Sequence, residues 1–170
     1  RGDGKTTMVG NVAAAYGESG RHVLMLNIDL QRRVRTRRGK RGRAAGITDY
    51  LAGDGAVTLD SLSFDTKVKN VLAVGAGHAP RPPGGQLEAQ QRLLDEARTL
   101  ADVVIVDTAP LLASSLNREL ATMVDSVIVL CRIGKTTVPQ ADKCAALLDQ
   151  VGAPAIGVVL VGVDAPAGSA

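Results

Sequence analysis

Apolar residues recur along the chain in two rhythms. Continuous runs from His22 to Ile28, Val71 to Val74, Val103 to Val106, Val127 to Cys131 and Ile156 to Val161 predict strands, and the four β-branched residues Val103 to Val106 predict one buried on both faces. Between them the spacing turns helical. Met8, Val9, Val12, Ala13 and Tyr16 mark a first helix. Gly46 to Gly53 predicts a short helix closed by glycine. A helix over Leu87 to Ala101 would bury Leu93, Leu94, Ala97, Leu100 and Ala101. A last one is marked by Val138, Ala141, Ala145, Leu148 and Val151. Strands alternating with helices predict one doubly wound α/β domain with a mostly parallel sheet, over residues 1–170.

Punctuation fits this pattern. Gly17 to Gly20 predicts a turn, Gly75 to Gly85 a Gly/Pro-rich loop, and Gly157 a packing position in the last strand. The tail from Asp164 is expected to be mobile.

The sharpest chemical signal stands at the start, in Arg1-Gly2-Asp3-Gly4-Lys5-Thr6-Thr7. Glycines let backbone N–H groups approach phosphate oxygens, which a Cβ would obstruct. The helix that follows favours anions at its N-terminus. The stretch predicts the second half of a P-loop, with Lys5 on the β- and γ-phosphates and Thr6 offering its hydroxyl to Mg²⁺. The strand that feeds such a loop would precede residue 1, so this chain is expected to lack it. Gly134-Lys135-Thr136-Thr137 repeats the letters, but a full motif needs glycine where Val129 stands, and the stretch reads as a turn.

Two acids sit where α/β folds place ligand-binding groups, at the carboxyl ends of strands. Asp29 follows the first apolar run, and hard oxygens of its kind suit Mg²⁺ or its bound water. Asp107 ends Val103-Val104-Ile105-Val106 in the form of a Walker B acid. Both are expected to face the start of the first helix.

Composition adds three limits. With 170 residues, 45% of them hydrophobic and 22% charged, the chain is an ordinary globular sequence with no membrane-spanning run. Cys131 and Cys144 form no metal-ligand spacing with each other or with His22 and His78, and read as inert thiols suited to a reducing cytosol. The net charge is +3, yet residues 32–43 hold eight Lys or Arg and no acid, leaving −5 on the remainder. Such a run reads as a solvated loop, poorly ordered over 34–43 without a partner, or as a contact for anionic lipid, an acidic partner or nucleic acid. It lacks interleaved aromatics, which argues against single-stranded nucleic acid.

Taken in order, Gly2-Asp3-Gly4-Lys5-Thr6-Thr7, Leu26-Asn27-Ile28-Asp29-Leu30-Gln31-Arg32-Arg33, Gly46 to Gly53, Ala76 through Pro83, Val106-Asp107-Thr108-Ala109-Pro110 and Arg132-Ile133-Gly134-Lys135-Thr136 resemble the bacterial tyrosine autokinases. These are the cytosolic P-loop ATPase modules of capsular and exopolysaccharide co-polymerases, in the deviant-Walker superfamily. The resemblance implies binding of ATP and Mg²⁺ and phosphoryl transfer to tyrosine. Nucleotide would be held by Gly2, Asp3, Gly4, Lys5, Thr6, Thr7 and Arg132, and Mg²⁺ by Thr6, Asp29 and Asp107. Lys5, Asp29 and Asp107 would be the catalytic residues. It also implies a transmembrane activator segment, a homo-oligomer, and a place at the cytoplasmic face of the cell membrane. Three positions depart from it. Asn27 replaces the leading acid of a D-x-D motif, and an amide neither accepts a proton nor offers charge. A tyrosine-rich tail is not expected, as the chain ends Gly168-Ser169-Ala170. Val161 stands where an asparagine near the base is common. Two rival readings follow: a non-catalytic nucleotide sensor in a membrane assembly, favoured by Asn27, and a partition-type ATPase that binds DNA through the basic run.

Overall fold

The computed structural model describes residues 4–29, 45–53, 57–77, 86–113 and 115–162. In order these form α1 (Lys5–Glu18), β1 (Val23–Asn27), α2 (Ile47–Ala52), α3 (Leu59–Leu62), β2 (Phe64–Asp65), β3 (Val71–Val74), α4 (Gln86–Leu100), β4 (Val103–Asp107), a 3-10 turn (Leu111–Ala113), α5 (Ser115–Ala121), β5 (Val127–Arg132), α6 (Val138–Gln150) and β6 (Ala155–Val161). They fall into two compact units, Thr6–Asn117 and Arg1–Lys5 with Arg118–Ala170.

The first unit holds a four-stranded sheet in the order β2-β3-β1-β4. β1 runs parallel to both neighbours, from Val23 opposite Val71 and Val103 to Asn27 opposite Asp107. β2 adds an antiparallel edge on β3. The fully apolar reading of β1 is explained by this central place. Val23, Leu24 and Leu26 are buried, and Ala13 of α1 packs with Val23 and Val71. α1 approaches closely because Gly17 has no side chain. A Cβ there would lie 2.6 Å from Val71 Cγ2 and 2.7 Å from the Lys69 carbonyl.

α2 is seated on the carboxyl end of β3. The Ile47 and Thr48 N–H groups donate to the Gly75 and Ala76 carbonyls, each at 2.9 Å. Gly46 makes this seat possible, since a Cβ there would run into the Gly75 carbonyl. Glu96 of α4 then ties two short helices down, accepting from Tyr50 Oη at 2.8 Å and from the Leu59 N–H at 2.7 Å.

The second unit holds a two-stranded parallel sheet, β5 with β6, paired from Val127 opposite Ala155 to Arg132 opposite Val161. α6 connects the two strands, with Leu148 buried and Thr137 and Gln140 forming a capping box at its start.

The mostly parallel α/β arrangement read from the sequence is the one observed. Several finer expectations are corrected. Leu100 ends α4 39% exposed, because the helix stops there and its last turn lies beyond the packed stretch of Ala89, Leu93, Leu94 and Ala97. Val138 and Ala145 face solvent, and α6 packs instead through Leu148. Gly157 is no packing position, since a Cβ there would meet nothing within 4 Å. Helices α3 and α5 and strand β2 were not anticipated, being too short for periodicity to register. The basic run over 32–43, most of the Gly/Pro-rich loop and the tail from Asp164 lie outside the described residues.

Candidate nucleotide site

The site is built where α1 begins. Gly4 takes φ +88°, a left-handed conformation that suits glycine, and the helix starts at the next residue. Thr6 therefore stands in the first turn, beside the N–H groups of the helix end, which a helix cannot satisfy from within. Gly2 and Asp3 lie outside the described residues. Lys5 is the first helical residue, and Thr7 follows Thr6 on the exposed side.

β4 supplies the opposing group. Val103 to Val106 pair along the whole of β1 and carry the chain to Asp107, which is buried. The Ile28 N–H donates to the Asp107 carbonyl at 2.8 Å, so β1 fixes the backbone at this point. The Asp107 side chain then meets α1: the Thr6 hydroxyl donates to Asp107 Oδ2 at 2.6 Å. These residues are 101 positions apart in sequence.

β1 ends beside them. Asn27 is the register partner of Asp107. Its side-chain oxygen accepts the Asp29 N–H at 3.1 Å, a local turn that sets the backbone as it leaves the strand. Asp29 follows, half-buried, two residues beyond the strand-end pair. Thr6 and Asp107 are thus brought into direct contact, with Asn27 and Asp29 on the adjoining strand end.

Arg132 and Val161 belong to the other unit. They are register partners at the ends of β5 and β6. The Arg132 N–H donates to Thr136 Oγ1 at 3.0 Å, and its carbonyl accepts the Lys135 and Thr136 N–H groups. Gly134, at φ +75°, completes a closed turn, so Gly134-Lys135-Thr136-Thr137 is the turn expected of it. A Cβ on Gly4 would stand 3.9 Å from Val161 Cγ2, which puts Val161 next to the loop glycine.

The oxygens at α1 and β4 suit a hard divalent cation. The Thr6 hydroxyl gives its proton to Asp107 and keeps its lone pairs for a further partner, beside a carboxylate. Among the described residues no cluster of three or more His, Cys, Asp or Glu forms a protein-only metal cage. A site of this kind completes its coordination with phosphate oxygens and water. One cavity, about 550 Å³, lies at the opposite end of the sheet, between His22, Lys67, Asn70 and Leu100, and touches none of these groups.

Sequence reasoning missed Asn117. It is buried in α5, and its Nδ2 donates to the carbonyls of Ala109 and Pro110, just beyond Asp107. The available signal was an amide at the head of a buried i, i+3, i+4 stripe with Leu120 and Ala121.

No protein-family model matches the chain. Among known proteins it is similar to tyrosine-protein kinase CpsD of Streptococcus pneumoniae, 26% identical over 166 residues, covering 96% of this chain and 72% of that protein. It is 28% identical over 162 residues to tyrosine-protein kinase etk of Escherichia coli strain K12, covering 94% of this chain but 22% of that protein. The solved kinase domain of Escherichia coli tyrosine kinase ETK superposes with a TM-score of 0.83 at 26% identity, covering 100% of this chain and 67% of that one. The MinD cell division protein of Aquifex aeolicus shares the fold, with a TM-score of 0.70 at 18% identity over 94% of this chain and 64% of that one. The homologues of this chain are therefore bacterial tyrosine-protein kinases, and its fold is the P-loop NTPase fold that they share with MinD-like ATPases.

Proposed function

We propose that the chain is a Mg-ATP-binding module of the bacterial tyrosine-kinase type, transferring a phosphoryl group from ATP to tyrosine. The observation that carries this reading is the hydrogen bond from Thr6 to Asp107, which joins the start of α1 to the end of β4. Bound Mg-ATP would supply the phosphoryl group and a neutralising cation. Gly2, Asp3, Gly4, Thr7 and the N–H groups at the start of α1 would cradle phosphate, and Lys5 would offset its charge. Thr6 and Asp107 would hold the metal, with Asp29 as the acid nearest the acceptor, and Arg132 would contact the nucleotide. Phosphoryl transfer rests mainly on such positioning and charge neutralisation.

The whole-protein role proposed with it is control of capsular or exopolysaccharide synthesis or export from the cytoplasmic face of the membrane. A transmembrane activator segment and neighbouring copies would be its partners, and residues 32–43 would meet anionic lipid. Support comes from the kinase homologues and from the basic run itself.

Asn27 favours a second reading, a nucleotide sensor without kinase activity. It stands opposite Asp107, where a second carboxylate would serve both metal and acceptor. Paired ATP titration and phosphotyrosine assays on the purified protein, with an acceptor tyrosine peptide supplied, test both. Binding with slow transfer is expected. Binding without any transfer would establish the sensor, and no ATP binding would overturn both.

A further inference from the structure

Asp107 is aimed at Thr6 from the last position of β4, and the three residues that follow it are held from behind. Thr108, Ala109 and Pro110 carry the chain away from the strand, and Pro110 has no N–H to give. Asn117 takes up the carbonyls of the last two. Its Nδ2 donates to Ala109 O and Pro110 O, each at 3.1 Å, and the residue is 5% exposed. Both amide protons of one buried side chain are thus spent on two consecutive peptide groups. Pro110 O also accepts the Ala113 N–H at 2.9 Å, so α5 and the 3-10 turn close on the same point.

We propose that Asn117 is a positioning residue for the Asp107 carboxylate. The β1 side of Asp107 is fixed through Ile28, and on the far side the chain passes into the turn that Asn117 grips. Without the amide, the carbonyl of buried Ala109 loses this donor, while that of Pro110 keeps the Ala113 N–H. Such groups do not stay unpaired. The turn must shift toward water, and the carboxylate two residues upstream turns with it. Asn117 makes no contact with the metal or nucleotide in this account. Its role rests on the reading of Thr6 and Asp107 as the Mg-ATP pair.

The test is calorimetric titration of ATP with excess Mg²⁺ and with EDTA, on the unmodified protein, Asn117→Ala and Leu93→Ala, with melting temperatures for all three. Leu93 is buried in α4, and its truncation provides a general loss of stability. Loss of a residue that orients a metal-binding group costs about 10- to 100-fold in metal affinity. Asn117→Ala is expected to shrink the Mg²⁺-dependent gain in ATP affinity by that factor, with affinity in EDTA nearly unchanged. Leu93→Ala should keep the gain despite its lower melting temperature. Retention of the full gain in Asn117→Ala would overturn the proposal, as would equal loss of it in Leu93→Ala. Should Asn117→Ala fail to fold, Asn117→Ser carries the same comparison with the same two outcomes. If the unmodified protein itself shows no Mg²⁺-dependent gain, the reading of the site fails, and the proposal with it.

Discussion

Asn27 and Asp107 stand opposite each other at the ends of two neighbouring parallel strands, one carrying an amide and the other a carboxylate. The amide oxygen of Asn27 already holds the Asp29 N–H, a bond that aspartate in its place would keep. Asn27→Asp is therefore a small structural change and a large chemical one. It adds a charge and a proton acceptor beside the Thr6–Asp107 pair. General-base help is worth roughly 10²- to 10⁴-fold. With an acceptor tyrosine supplied, Asn27→Asp is expected to raise the phosphorylation rate, with ATP affinity little changed. A phosphotyrosine assay showing no gain, or fast transfer by the unmodified protein, would show that this position has another role.

Gly46 lets α2 sit on the end of β3. Gly46→Ala forces its methyl group against the Gly75 carbonyl, which is backbone and cannot swing aside. Such overpacking costs about 1–3 kcal/mol. The expected result in urea melts is a lower midpoint with an unchanged slope. A midpoint equal to that of the unmodified protein would remove the claim that this seat is tight.

Gln90 is 1% exposed on the packed side of α4, and neither of its amide atoms finds a hydrogen-bond partner among the described residues. A buried polar group left unpaired costs about 1–3 kcal/mol. Gln90→Leu, close to it in volume and free of that cost, should raise the melting temperature by a few degrees. A lower melting temperature would mean that the amide is satisfied in solution.

Tyr50 Oη donates to Glu96, and burial together with that carboxylate pushes its pKa up to about 12. The folded state holds this proton more tightly than an unfolded chain, where a tyrosine titrates near 10. The stabilisation is present in full below pH 10 and is lost as pH rises from 10 to 12. Tyr50→Phe should therefore lower stability at neutral pH by roughly 1–2 kcal/mol and flatten the alkaline fall. An alkaline profile unaltered by the substitution would place that titration elsewhere.

The parts of this architecture that sequence reveals are those decided by local rules. Val103 to Val106 can hardly be anything but a strand with Asp107 emerging at its end, although these four residues are half-buried and not buried on both faces, as β4 is the last strand of its sheet. Gly4 before a helical stripe marks the loop, and Gly53 marks the end of α2. What sequence hides is decided by distant partners. The exposure of Leu100 depends on where α4 stops, the open space at Gly157 on what faces β6, and the bond between Thr6 and Asp107 on a separation of 101 residues. Asn117 was hidden for the same reason. Its partners are two carbonyls, which carry no side-chain signature.

The most direct test of the account is the coupling between Mg²⁺ and ATP at Thr6 and Asp107. ATP is titrated with Mg²⁺ and with EDTA into the unmodified protein, Asp107→Asn and Lys5→Ala. The account predicts that Mg²⁺ tightens binding to the unmodified protein, that Asp107→Asn loses most of this gain while still binding ATP in EDTA, and that Lys5→Ala binds under neither condition. An undiminished Mg²⁺ gain in Asp107→Asn, or ATP binding by Lys5→Ala as tight as that of the unmodified protein, would contradict it.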